Sequence, residues 1–368
     1  MKFLLDIMEK FRPLFREGGA FARMAPVYDA TEAIFFAPDE TAHTAPHVRD
    51  PLDLKRFMSM VILAVAPCAL IGIHHFGLRV IAMIIVSYAA GGTVEVLVAM
   101  IRKEPINEGF LVTGLLFPLI LPPGLPLWMV GVGVAFGVLV GKEVFGGTGR
   151  NVFNPALVGR CFLLMAYPSY MSSGWIIPGT GLMGRALEWV DTSVADAISS
   201  ATPLVLMKNS LTDPSVIPET VRNLFLGNTA GCVGATSALA ILLGGVFLII
   251  VGVASWRTTV GIFGSFIILG AILHWVYPAK FAPLTLQLFS GGLFFGAFFM
   301  ATDPVTSPMT KCGQLVYGIL IGTLTLLIRG LSGYPEGMMF AILLGNTSAY
   351  IFDKIAISSK LRKLADER

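Results

Sequence analysis

From Phe57 almost to the C-terminus, the chain is a succession of apolar runs close to the length that crosses a lipid bilayer. About 20 mostly apolar residues are needed for one helical span. Runs of this kind recur along the chain, so it is read as an integral membrane protein. Ten segments are predicted, near 57–76, 79–101, 109–121, 125–141, 155–168, 238–254, 259–276, 286–301, 314–328 and 336–352. With 55% hydrophobic residues and only 13% charged, two soluble domains are excluded. The opening residues, MKFLLDIMEKFRPLFREGG, alternate in charge and contain no continuous apolar core of the kind a cleaved signal needs.

Several segments are too short for a full crossing. GFLVTGLLFPLILPP is interrupted by Pro118 and closed by Pro122 and Pro123, so a broken or half-length helix is expected, with other protein covering the freed backbone. With the N-terminus in the cytoplasm, 19 Lys and Arg fall on the inner side and six on the outer, while Arg160 lies inside a segment. The positive-inside rule therefore predicts two cytoplasmic termini. Five segments, a polar excursion and five more segments suggest two halves of opposite orientation. GVLVGKEVFGGTGRNVFNPALVGR and GAFFMATDPVTSPMTKCGQLVYG support a repeat, since each leaves a helix into a turn rich in Gly, Thr and Pro. The expectation is an all-α integral membrane protein of about ten transmembrane helices in two inverted five-helix halves with interrupted helices. Its parts would be an arm (1–56), a first half (57–168), an outer-face segment (169–237), a second half (238–353) and a cytoplasmic tail (354–368).

Acidic residues in apolar runs point to function, because a charge at the bilayer centre costs about 2.5 to 3.5 kcal/mol. Glu95 lies inside segment two; Lys142 and Glu143 end segment four, Asp303 ends segment eight and Asp353 ends segment ten. The turn KEVFGGTGRNVFNPALVGR offers Asn151, Asn154, a Thr, an Arg and glycine amides, a set suited to a heteroaromatic ring or an anion, or simply to a tight turn with Asn caps. GGTG lacks the ending and strand context of a nucleotide loop. The four cysteines are scattered without a metal-ligand spacing, so an iron–sulfur or zinc site within the chain is not expected.

DAISSATPL, residues 196–204, stands in the polar excursion. Its D-x-x-S-x-A-T pattern resembles the acceptor at which a flavin transferase esterifies FMN phosphate to a threonine hydroxyl, with Asp196, Ser199, Ala201 and Thr202 in place. GCVGATSAL contains a second Ala-Thr, but Ala230 stands where the pattern wants an aspartate before Thr236. Pro203 disfavours helical geometry at Thr202, so its hydroxyl is expected on an extended, accessible stretch.

HVRDPLDLKR, NEGFLVTGLLFPLILPPGLPLW, KEVFGGTGRNVFNPAL, FFMATDP and YPEGMM extend the resemblance over nearly the whole chain. Together they resemble the NqrB subunits of the sodium-translocating NADH:quinone oxidoreductases. The RnfD subunits of the Rnf ferredoxin:NAD oxidoreductase complexes are similar, and the long arm with its HVRD favours the NqrB type. This chain departs in its short connection between segments one and two. The resemblance implies a multi-pass subunit of a bacterial inner (plasma) membrane pump, inactive alone and without catalytic residues of its own. It implies FMN on Thr202, noncovalent riboflavin nearer the cytoplasmic side with the Asn151–Asn154 turn as its candidate seat, a quinone beside Gly91 and Gly92, and a sodium pathway through Glu95, Asp303 and Asp353. An NADH-binding flavoprotein subunit would be a partner; nucleic acid would not. A flavin-free channel or transporter on the same scaffold is the rival class.

Overall fold

The computed structural model describes residues 54–103, 109–179, 181, 184–189, 202–205, 217–278, 280–334 and 336–366. Helices account for its architecture, and no strand occurs among the described residues. The first half contains α1 (Leu54–Phe76), α2 (Leu78–Arg102), α3 (Gly109–Leu119), α4 (Leu127–Gly141), α5 (Pro155–Ala166) and the short α6 (Pro168–Ser173). After α7 (Ile217–Leu226) come α8 (Ala238–Val251), α9 (Trp256–Val276), α10 (Leu284–Phe289), α11 (Leu293–Phe295), α12 (Lys311–Leu331) and α13 (Met338–Asp366). Six helical stretches are long and apolar enough to cross a membrane, and Gly109–Leu119, Pro155–Ala166 and Ala238–Val251 are shorter apolar helices.

Two expected boundaries move. Segment eight is not one helix: Ser290 to Gly292 separate α10 from α11, which continues as a π-helical turn, Gly296–Met300. Segment ten does not end at Asp353, because α13 runs on to Asp366 through a polar stretch of good helix formers whose side chains are mostly exposed. The tail from residue 354 is thus largely a continuation of a helix rather than a separate unit.

Between α1 and α2 stands a single residue, Gly77, at φ 77°. Only glycine adopts this geometry without strain, so the short connection is a one-residue turn. Helices then pack through glycines that let backbones touch, the usual device where lipid offers no hydrophobic drive for association. A Cβ on Gly137 of α4 would lie 3.0 Å from Cα of Gly159 on α5, and one on Gly261 of α9 would lie 3.1 Å from Cα of Gly318 on α12.

The broken helices have their freed carbonyls answered by protein, as expected. Past α3, the carbonyls of Leu119 and Leu121 accept the N–H groups of Gly234 and Val233 at 2.7 and 3.1 Å. Those of Pro123 and Leu125 accept Arg79 at 3.0 Å each. At the end of α10, Arg329 donates to Gln287 O at 2.6 Å and Ser290 O at 3.0 Å. Both arginines are buried, and hydrogen bonding to charged donors offsets part of their burial cost.

Candidate functional site

Two cavities lie where the halves of the chain meet. The larger, about 420 Å³, is lined among others by Arg160, Trp175, Thr202, Thr236, Tyr334 and Glu336. Its size falls in the range of about 300–1,000 Å³ typical of small-molecule sites. The smaller, about 70 Å³, is lined by Lys142, Thr148, Asn151 and Asn154 from the turn after α4, and by Thr302 and Asp303 from the turn after the π-helical segment. The two turns that look alike in sequence therefore share one cavity.

Thr202 is half-buried on the wall of the larger cavity. Residues 203–205 form a helical turn; Thr202 precedes it as a cap, with its Oγ1 accepting the Val205 N–H at 3.4 Å and its carbonyl accepting the same group at 2.9 Å. The expected extended stretch does not continue past Thr202, because Pro203 is well suited to the first position of a helical turn. Asp196, Ser199 and Ala201 lie outside the described residues.

Opposite pieces of the chain meet beside this cavity. Arg160, on α5, forms an ion pair with Glu336, which precedes α13. The Arg160 Nη2 also approaches Cys232 Sγ at 3.6 Å, and Glu336 Oε1 accepts the Gly292 N–H at 2.7 Å. Burial works to raise the Glu336 carboxyl, but the charge and hydrogen bond of Arg160, the charge of Arg329 and the Gly292 N–H bring it below the usual carboxylate range. Burial pushes the Cys232 thiol up to about 12, so it stays neutral. Glu336 escaped the sequence reading. The signal was Arg160, a lone cation in an apolar run, which requires a buried partner.

At the smaller cavity, the amides of the Asn pair are partly committed to local structure. Asn154 caps α5, its Oδ1 accepting the Ala156 N–H at 3.0 Å, and Asn151 Nδ2 donates to Phe153 O at 3.1 Å. Thr148 Oγ1 is buried without a partner. Asp303 accepts from the Thr306 hydroxyl at 2.9 Å and the Val305 N–H at 3.4 Å. Its carboxyl is raised by burial, against the pull of these two bonds.

Lys142 belongs both to this cavity and to Glu95, donating to Oε1 at 2.7 Å. Next to it, Glu143 pairs with Arg102 at 3.5 Å, so two consecutive residues at the end of α4 latch onto two residues of α2. Gly91 packs on Phe110, whose Cε2 would lie 2.6 Å from an added Cβ, and Gly92 is looser at 3.3 Å. Neither glycine borders the cavities described. Asp353 accepts from Met309 N–H, Thr310 N–H and Thr310 Oγ1 at 2.8, 2.9 and 2.6 Å, tying α13 to the start of α12. The three acids are therefore not gathered into one cluster, and among the described residues no group of three His, Cys, Asp or Glu could hold a metal ion.

Residues 41–362 match the model of the NQR2, RnfD, RnfE family. The chain belongs to this family. The B subunit of the Na(+)-translocating NADH-quinone reductase of Klebsiella pneumoniae (strain 342) is 36% identical over 420 aligned residues, covering 98% of each chain. The protein of the same name from Azotobacter vinelandii is 35% identical over 407 residues and 97% of each chain. That from Pseudomonas aeruginosa (strain LESB58) is 34% identical over 411 residues and 98% of each. These alignments are longer than the 368 residues here, so the relatives carry additional residues within the aligned span.

Proposed function

We propose that the chain is the flavin-bearing membrane subunit of a sodium-translocating NADH:quinone reductase, anchored as a multi-pass protein of the bacterial inner membrane with both termini cytoplasmic. The observation that carries this reading is the place of Thr202 on the wall of a cavity of about 420 Å³. The cavity fits an FMN esterified there: its lining is largely apolar, Trp175, Tyr334 and Phe289 offer ring faces, and Arg160 offers a cation. Bound there, a flavin would accept electrons that an NADH-binding partner subunit supplies and release them toward quinone. The chain's own part is to hold the group against loss to water through the Thr202 oxygen and to shield it between α5, α6 and the residues before α13.

The second flavin that the family resemblance implies, riboflavin, fits less well at the Asn151–Asn154 turn, where the cavity is only about 70 Å³. For quinone, Gly91 stays the candidate contact only if Phe110, which fills the space beside it, turns away. For sodium, Glu95 is the best-suited of the three acids, because its Oε2 is buried and has no partner and carboxylate oxygens suit a hard cation. Moving one charge against 100 mV costs about 2.3 kcal/mol, which the electron transfer would have to supply.

The experiment is a denaturing gel of the assembled complex, coexpressed with its flavin transferase and viewed under ultraviolet light. The subunit band should fluoresce, and Thr202→Val should be dark. A dark wild-type band would reject the flavin reading and favour a flavin-free transporter.

A further inference from the structure

We propose that Arg160 is the counter-charge for the reduced form of the group carried on Thr202, and that Glu336 sets how much of that charge the group feels. This rests on the flavin reading above and deepens it.

Arg160 sits on α5, in an apolar run of twelve residues, and is 8% exposed. A guanidinium has five N–H donors. The protein bonds of Arg160, to Glu336 Oε2 and Cys232 Sγ, both use Nη2, leaving the Nε and Nη1 donors without a protein partner among the described residues. The same side chain lines the cavity that Thr202 borders. The neighbouring cation, Arg329, is differently committed: its Nη1 and Nη2 donate to the carbonyls of Gln287 and Ser290, and it does not line the cavity. Cys232, a neutral thiol, supplies no compensating charge. Arg160 is thus a cation beside the cavity with donors to spare, and Glu336 is the anion that tempers it.

A neutral flavin that takes two electrons and one proton ends one charge more negative than it began; NADH, through the partner subunit, is the source of the electrons. In a site shielded from water, a fixed positive charge favours that reduced form. If the pair were only a strap between α5 and the residues before α13, changing it would alter stability and leave the potential of the cavity's occupant where it was.

The test is a redox titration of the assembled complex followed by flavin absorbance, with the Thr202→Val complex subtracted so that only the flavin on Thr202 is read. Arg160→Gln alone would leave Glu336 buried and unpaired, so the informative variants are Glu336→Gln and the double variant Arg160→Gln/Glu336→Gln. Glu336→Gln should raise the midpoint potential, with a change on the order of tenfold in the reduced-to-oxidised ratio at fixed potential. The double variant should lie below Glu336→Gln. Both should keep the wild-type gel fluorescence, showing that the attachment is intact. A Glu336→Gln complex with normal fluorescence and an unshifted potential would overturn the proposal while leaving the flavin reading standing. A wild-type band without fluorescence would remove both.

Discussion

Lys142 holds its Nζ 2.7 Å from Oε1 of Glu95, with both side chains buried and the second carboxylate oxygen, Oε2, unpartnered. Breaking a buried pair by removing one member costs about 3–5 kcal/mol, because the other charge is stranded, whereas removing both is often nearly neutral. Lys142→Met should therefore lower the thermal midpoint of the purified complex sharply, and Lys142→Met/Glu95→Gln should recover most of the loss. A double variant as unstable as Lys142→Met would show that the pair is not the source of the effect.

The unpartnered Oε2 also bears on cation handling. Glu95→Gln keeps the shape of the side chain and removes the negative charge that a cation would need. Quinone reduction by the assembled variant should respond less steeply to sodium concentration than the wild type, with covalent flavin unchanged. A wild-type sodium response would exclude Glu95 from the pathway.

Glycine packing between α9 and α12 gives a comparison within neighbouring turns. An added Cβ on Gly318 would collide with the Thr258 carbonyl and lie 3.0 Å from Cα of Gly261, but on Gly264 it would meet nothing within 4 Å. Gly318→Ala should reduce the yield of folded complex, while Gly264→Ala should be neutral or slightly stabilising, since Ala favours helix over Gly by about 1 kcal/mol. Equal yields for the two variants would mean the crossing tolerates separation.

Asn154 is engaged as a helix cap, and replacing a capping Asn by Ala costs about 0.5–2 kcal/mol. Asn154→Ala should lower thermal stability modestly and leave riboflavin extracted from the complex by acid at the wild-type amount. Loss of riboflavin with stability intact would instead make this turn a flavin seat.

Thr236 lines the same cavity as Thr202 but is 5% exposed. Its hydroxyl is the less accessible to a transferase, and it lacks the upstream aspartate. Thr236→Val should leave the fluorescent band bright on a gel where Thr202→Val is dark; a dark Thr236→Val band with normal protein yield would reassign the acceptor.

The sequence alone determined the membrane class and the short third segment through local chemistry, and by resemblance it offered Thr202 as the candidate acceptor. Apolar run length decides whether a segment can live in lipid, and Pro122 and Pro123 close the third segment just past Leu119, although Pro118, expected to interrupt it, lies within α3; D-x-x-S-x-A-T is read over seven adjacent residues. The likeness of the turns after Gly141 and Met300 was also visible, but that both border one cavity was not. Tertiary structure alone decided the pairings: Arg160 with Glu336, 176 residues apart, and Lys142 with Glu95, 47 apart. It also made Asp353, the acid at the end of predicted segment ten, a tether for Thr310. Hydropathy and spacing report what each side chain would prefer to be near. Which partner answers a buried charge depends on how helices cross, and those crossings are set by steric contacts such as Gly137 on Gly159 and Gly261 on Gly318, made between residues that no local pattern connects.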